Sequence, residues 1–403
     1  MLLLLGGAAV DAHTFDLRPA SAGTSARVFS SSASSQDSSA AEAEDEDEND
    51  EAPLAWYERL RFGGDFRSRY EGFYRENSET RHRARLRLRL RVDTDINEDI
   101  RFQLQVASGD PGTPVSVNQT FEGFFQPKPF NLDRAYIAYN PVAASAITLG
   151  LGKFGSPQLR TQMTFDDDLN YEGAWQRVDL GLGENATFHI GGLQTAVNEL
   201  SRASDSSMFS AFGGATFEMG PHSLEVTAAN YGWRNVDQVA LAQAGGDLAS
   251  ILTNDVVRDG SGTVLGYASE FNVVDIIGEA KIETSKKQYP LRFLVEFARN
   301  TRAANDRDSG FWVETEYGSP RETGTWGAMY THGWIQQDLT PSAFMFSDIP
   351  GTNTRLNMFE VSYIPKSGLS LDVTLHLTKR LFLPEDDPNH LLTRLHVAAV
   401  VRF

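Results

Sequence analysis

Eight histidines, three consecutive aspartates and a ladder of alternating arginines are the residues whose types and spacing could do chemistry. The histidines are His13, His82, His189, His222, His332, His376, His390 and His396. No two stand at helix spacing around a glutamate, as a hydrolytic zinc site needs, and no G-x-S-x-G elbow presents a serine nucleophile. The pair His222–Ser223 falls in a short turn. Cysteine is absent, which removes disulfides, thiol chemistry and Cys-based zinc sites. Asp166, Asp167 and Asp168 offer hard oxygens suited to calcium. Neighbouring carboxylates cannot all converge on one ion, however, and their spacing matches no defined calcium loop. The expectation is no catalysis, no cofactor and no metal.

The arginines are the stronger signal. The chain has 403 residues, with 36 Lys+Arg against 54 Asp+Glu, so its formal net charge is −18. Residues 37–52 carry nine acids and no base, whereas residues 59–101 carry twelve arginines. Overall acidity argues against a general nucleic-acid binder. In RHRARLRLRLRV, Arg81, Arg83, Arg85, Arg87, Arg89 and Arg91 alternate with His82, Ala84, Leu86, Leu88, Leu90 and Val92. At about 100° per residue a helix would scatter these guanidiniums around its circumference. A strand sends them all one way and the leucines the other.

The same period of two recurs along the chain. Phe62, Phe66 and Tyr70 alternate with Arg61, Asp65, Arg67 and Arg69, and Ile100, Phe102 and Leu104 with Arg101, Gln103 and Gln105. It returns at Leu291–Phe297, at Leu371–Leu377 and at Leu395–Phe403. Strands are predicted near 59–72, 81–94, 99–108, 132–140, 145–154, 172–182, 186–197, 207–218, 222–233, 265–283, 289–299, 310–318, 323–333, 354–364, 369–379 and 392–403. The best helical window is one or two turns near 238–252. Connections after even strands are short turns, around Asn97, Pro141, Glu184, Pro221, Lys286, Pro320 and Lys366. Those after odd strands are mostly longer, as at 109–131, 155–171 and 234–264.

A soluble sandwich has no reason to sort its loops by parity. An outer-membrane barrel does, with tight turns on the periplasmic side and long loops outside. Strands of about 9–11 residues suffice to cross, and closure satisfies every backbone group. No run of eighteen apolar residues exists for a helical span. The predicted fold is all-β, a closed antiparallel transmembrane barrel of about sixteen strands.

The barrel fixes the faces. Arginine in hydrocarbon costs about 2–4 kcal/mol near the midplane, so the guanidiniums must line an aqueous lumen. The expected pore wall is Arg61, Arg67, Arg69, Arg83, Arg85, Arg87, Arg89 and Arg101. Like charges need opposition, and the third outer loop holds TFDDDLNYEG with Asp166, Asp167, Asp168 and Glu172. Folded inward, that loop would place its carboxylates against the arginines and narrow the pore to a slot with a transverse field.

The pieces VSVNQTF (115–121), FNLDRAYIAYNP (130–141), LGKFGSPQLRT (151–161) and DDDLNYEG (166–173), with the Arg-rich second strand and terminal Phe403, resemble the bacterial outer-membrane "putative porin" family. The resemblance covers roughly residues 58–403. It implies a diffusion channel for small hydrophilic solutes, set among outer-membrane lipid and lipopolysaccharide, and a homotrimer by analogy. In that picture Phe403 ends the strand read by the barrel-insertion machinery, which it can pair by strand addition.

Ahead of the barrel (56–403), residues 1–19 read as a signal-like segment, MLLLLGGAAV followed by small residues, without the usual basic start. Residues 20–55 read as a disordered Ser/Glu/Asp linker. Two other readings stand beside the general porin. One is a substrate-dedicated channel for an acidic solute or polysaccharide, motivated by the arginine density. The other is a non-membrane β-rich binding protein, in which the arginines form a solvated sheet face.

Overall fold

The computed structural model describes residues 56–202, 204–383 and 387–403. The signal-like segment and the acidic linker lie outside the described residues.

Sixteen strands form the barrel wall: β1 (Arg61–Tyr74), β2 (Arg81–Asp95), β3 (Ile100–Ser108), β4 (Phe130–Tyr139), β5 (Ile147–Phe154), β6 (Tyr171–Gly181), β7 (Ala186–Asn198) and β8 (Ser206–Met219), then β9 (His222–Arg234), β10 (Asn272–Ile282), β11 (Leu291–Asn300), β12 (Ser309–Tyr317), β13 (Trp326–Ile335), β14 (Thr354–Lys366), β15 (Leu369–Arg380) and β16 (Leu392–Arg402). Each is antiparallel to its neighbours in sequence. The ring closes where β1 pairs β16, from Asp65 opposite Arg402 to Tyr74 opposite Thr393. A further two-residue strand, Gln119–Thr120, pairs with β2 at Arg85 and Leu86 outside this ring.

The alternation that predicts the strands also sorts their faces. Phe62 is 77% exposed and Leu151 66%, whereas inward neighbours such as Glu71, Gln103 and Glu296 are buried. Apolar side chains stand exposed on strand after strand, including Leu149, Ile190, Ile276, Phe297 and Val361. A belt on this scale exceeds what soluble monomers show and fits hydrocarbon. At the short-turn end it is edged by Tyr139, Tyr317, Trp326, Tyr363 and Phe403, the aromatic girdle of a membrane barrel. None of the described helices is long and apolar enough to cross a membrane.

The longest connections all follow odd strands, although the outer connections 75–80, 199–205 and 301–308 are no longer than the longest turns. Turns after even strands run from two residues, at 220–221 and 367–368, to eight, at 283–290 and 318–325. Outer loops two (109–129), three (155–170), five (235–271) and seven (336–353) are the long ones. The tenth strand begins at Asn272 rather than near 265, because Val264–Tyr267 pairs back on Val256–Arg258 inside loop five. Loop five also holds the helix α1 (Asp237–Gly245), a shorter piece of the predicted 238–252 window. It ends at Gly246, in the left-handed region with φ 84°.

Gly173 has φ 150° where loop three joins β6. A Cβ there would run into the Gln194 carbonyl of β7. Gly173→Ala is expected to cost about 1–3 kcal/mol, read as a drop of several degrees in the temperature at which the folded barrel loses its fast gel mobility.

Candidate functional site

The arginine ladder faces the barrel interior, and its first partners lie on the neighbouring strand. In the β1–β2 register Asp65 stands opposite Arg89, and Glu71 opposite Arg83. Arg87 Nε and Arg89 Nε donate to Asp65 at 2.8 and 2.6 Å. Arg83 Nε donates to Glu71 at 2.5 Å, which also pairs with Arg69, Arg85 and Arg394. Loop two supplies more acceptors: Arg67 reaches Asn118 Oδ1, and Arg85 reaches the Asn118 carbonyl. Arg61 and Arg101 sit apart, at the short-turn rim, and both bind Asp95.

Loop three does fold inward, and it does not act alone. Phe165 stacks on Trp233 of β9, and Trp233 stacks on Phe344 of loop seven with ring centroids 5.3 Å apart. Met163, Leu339, Ala343, Met345, Val239 and Tyr267 complete an apolar core inside the barrel. Strand period reveals the inward side chains of the wall that contribute to this core, such as Trp175, Tyr231 and Trp312, but not the residues that loops three, five and seven pack against them. The backbone joins them: Asp166 N–H donates to the Phe344 carbonyl at 2.9 Å, and Phe346 N–H to the Gln162 carbonyl at 3.2 Å. Part of the lumen is therefore packed protein.

The loop-three acids take separate positions. Asp168 lies 3.9 Å from Arg89. Asp166 is buried and turned to the loops, accepting from the backbone N–H of Asp168 and of Ser347. Burial, with Asp168 beside it, pushes its carboxyl well above the ordinary range. Asp167 accepts from the Gln162 side chain at 2.8 Å. Burial pushes it up to about 6, against the pull of Arg160 and with the help of Asp168. Glu172 is on β6 and pairs with Lys153 of β5 at 2.6 Å, away from the arginines.

Loop seven places a further carboxylate, Asp348, beside the arginines of β1 and β16. It accepts from Arg69 at 3.0 Å and from Arg394 at 2.7 Å. Burial alone would raise its pKa, but Arg394 and Arg69 hold it well below the usual carboxylate range. His376 and His396, from β15 and β16, present ligand-type atoms within 4.8 Å of it and of one another. A divalent cation at this point would meet the two guanidiniums already bound to Asp348, a repulsion of several kcal/mol in a poorly hydrated site. The charge there suits an anion better.

Cavities open between the wall and the inward loops. One, of about 1070 Å³, opens at the short-turn side. Arg89, Arg91, Arg134 and Arg177 line it from β2, β4 and β6, while Glu225, Glu279, Glu314 and Glu316 line it from β9, β10 and β12. In a ring of sixteen, β2 lies across from β10 and β4 from β12. A cationic arc thus faces one rich in glutamate, whose charge is partly offset by Arg292 bridging Glu279 and Glu314, by Lys281 on Glu279, and by Lys287 and Arg321. Sequence reasoning passed over these glutamates, although Glu314 and Glu316 share one face at the strand period. The second cavity, of about 450 Å³, lies on the outer side between Arg81, Arg83, Arg85 and Arg394 and loops two, five and seven.

A closed sixteen-stranded barrel with an apolar outside and a charged inside is a porin-like outer-membrane barrel. The sequence agrees: residues 73–246 match the model of the family described as putative porin. No curated protein matches the chain. Among solved structures, the high-pH structure of Pseudomonas putida OprB matches with a TM-score of 0.57 at 11% identity, covering 86% of this chain and 95% of that one. Salmonella typhi OmpF in complex with daunomycin matches with a TM-score of 0.49 at 12% identity, covering 85% and 97%. At such identities the likeness concerns the fold.

Proposed function

We propose that the protein is a diffusion channel for small hydrophilic solutes in a Gram-negative outer membrane, with an arginine wall facing acidic groups across its lumen. The observation that carries this reading is the barrel's inverted polarity, enclosing a large cavity whose cationic and acidic arcs stand on opposed strands. Water-filled space with fixed opposite charges lets a hydrated solute pass while it orients in the field. The acidic partners comprise Asp168 and Asp348 on the loops and the glutamates of β9–β12; Asp166, Asp167 and Glu172 are better read as holding loop three and the outer rim. Reconstituted protein in planar bilayers is expected to give stepwise, ohmic conductance, and vesicles containing it to swell in small sugars. Persistent absence of both would refute the channel.

Lipopolysaccharide and outer-membrane lipid would surround the apolar belt. The insertion machinery would engage β16, whose Phe403 stands exposed beside Gly64. A homotrimer is the assembly proposed by analogy, and the mass of the detergent-extracted protein tests it.

A further inference from the structure

We propose that the outer cavity is a binding site for organic monocarboxylates with a small apolar body, of the benzoate or short-chain fatty-acid type. This inference rests on the channel reading and names a solute class for it.

The first support is an unbalanced charge. Arg69, Arg81, Arg83, Arg85 and Arg394 cluster on β1, β2 and β16, and the carboxylates among them are Glu71 and Asp348. Three positive charges are left over. Gathering guanidiniums this closely costs free energy that an entering anion would offset. The second support is poor hydration of that charge. Arg69 and Arg394 are each 6% exposed, and the buried Nε atoms of Arg69, Arg85 and Arg394 have no hydrogen-bond partner. Arg85 and Arg394 line the cavity itself.

The third support is the opposite wall. Among the hydroxyl residues Ser116, Ser250 and Ser342, the loops set Val115 of loop two, Ile251 of loop five, and Met345, Phe346 and Ile349 of loop seven along the cavity. An inorganic oxyanion leaves the apolar part of such a wall unused. A carboxylate carrying a ring or short alkyl group can set its charge on the arginines and bury its body against the loops. At about 450 Å³ the space falls within the size of small-ligand sites.

Calorimetry on the detergent-folded barrel, titrated separately with benzoate, benzyl alcohol and inorganic phosphate, tests this. Benzoate is expected to bind at least tenfold more tightly than either of the others. Phosphate binding as well as benzoate, or benzoate as poorly as benzyl alcohol, would overturn the proposal. Ile251→Glu places a carboxylate on the exposed loop face of the cavity and should reduce benzoate binding at least tenfold. Arg81→Gln, at the exposed end of β2, should weaken it severalfold. Heat-shifted gel mobility checks that both variants fold, and folded variants that bind like the parent count against the site. Bilayer recordings keep the two readings apart. A protein that conducts but ignores benzoate overturns this inference alone, and one that binds benzoate but never conducts overturns the channel.

Discussion

The double variant Asp348→Asn/Phe344→Ala is expected to raise single-channel conductance severalfold, with each single change raising it less than twofold. Beside hydrogen bonds to loops three and five, two kinds of interaction hold loop seven in the lumen. One is ionic: Asp348 accepts from Arg69 and Arg394, and removing one partner of a buried pair costs about 3–5 kcal/mol. The other is apolar. Phe344, Met345, Ile349 and Leu339 are buried in the interior core, and each buried side chain of this kind contributes about 1.5–3 kcal/mol. The apolar sum exceeds the ionic loss, so Asp348→Asn should fray residues 346–350 and leave the loop seated. Phe344→Ala removes the ring under Trp233, at about 3–5 kcal/mol. Together the losses remove the ionic anchor and the stacked ring of the seat, and loop three should loosen with loop seven, since its Asp166 and Gln162 bond to it. Proteinase K nicking within residues 336–353 should rise in parallel. A double variant that conducts and resists nicking like the parent would show that these loops do not limit the pore.

The wall was legible because a strand's period is short and its consequence local. Six arginines alternating with apolar residues can have only one geometry in an extended chain, and the parity of connection lengths reports two sides of a membrane. Strand number followed from counting such segments. The most displaced boundary, at the tenth strand, has a local cause: Val264–Tyr267 has strand character and spends it on a hairpin within loop five. The partners of the arginines were half legible. Asp65 falls on the arginine face in the sequence pattern itself, and Glu71 shares the same two-residue phase, so its place there could have been read as directly. Asp348 could not. It lies 279 residues from Arg69, and its position depends on which loops enter the lumen. That choice is made by the fit of Phe165, Trp233 and Phe344, a tertiary event without a periodic signature. Glu172 shows the same limit from the other side. Its place beside three aspartates suggested a shared role, yet one step into a strand changes the face a side chain takes.

Loop seating is expected to be tighter at pH 5 than at pH 7. Asp167 is pushed up to about 6 in the seated loop and Asp166 is pushed well up, whereas a free aspartate titrates near 3.9. A carboxyl with a raised folded-state value favours the seated form fully below its free value. That contribution is lost as pH climbs toward the raised value, which for Asp167 places the change between about 4 and 6. Asp348 has the opposite sign. Its carboxyl is depressed in the seat, so its contribution is fully present above the free value and is lost only as pH falls below about 4. Between pH 5 and 7 the loop-three aspartates therefore favour the seated form at the lower pH. Hydrogen exchange at the Asp166, Phe346 and Ser347 amides, corrected for the intrinsic pH dependence, should show severalfold greater protection at pH 5. Asp167→Asn should flatten part of that difference. Protection that stays constant or grows from pH 5 to 7 would mean that these carboxyls are ionised in the seat, and that the contacts between loops three and seven are held by the apolar core alone.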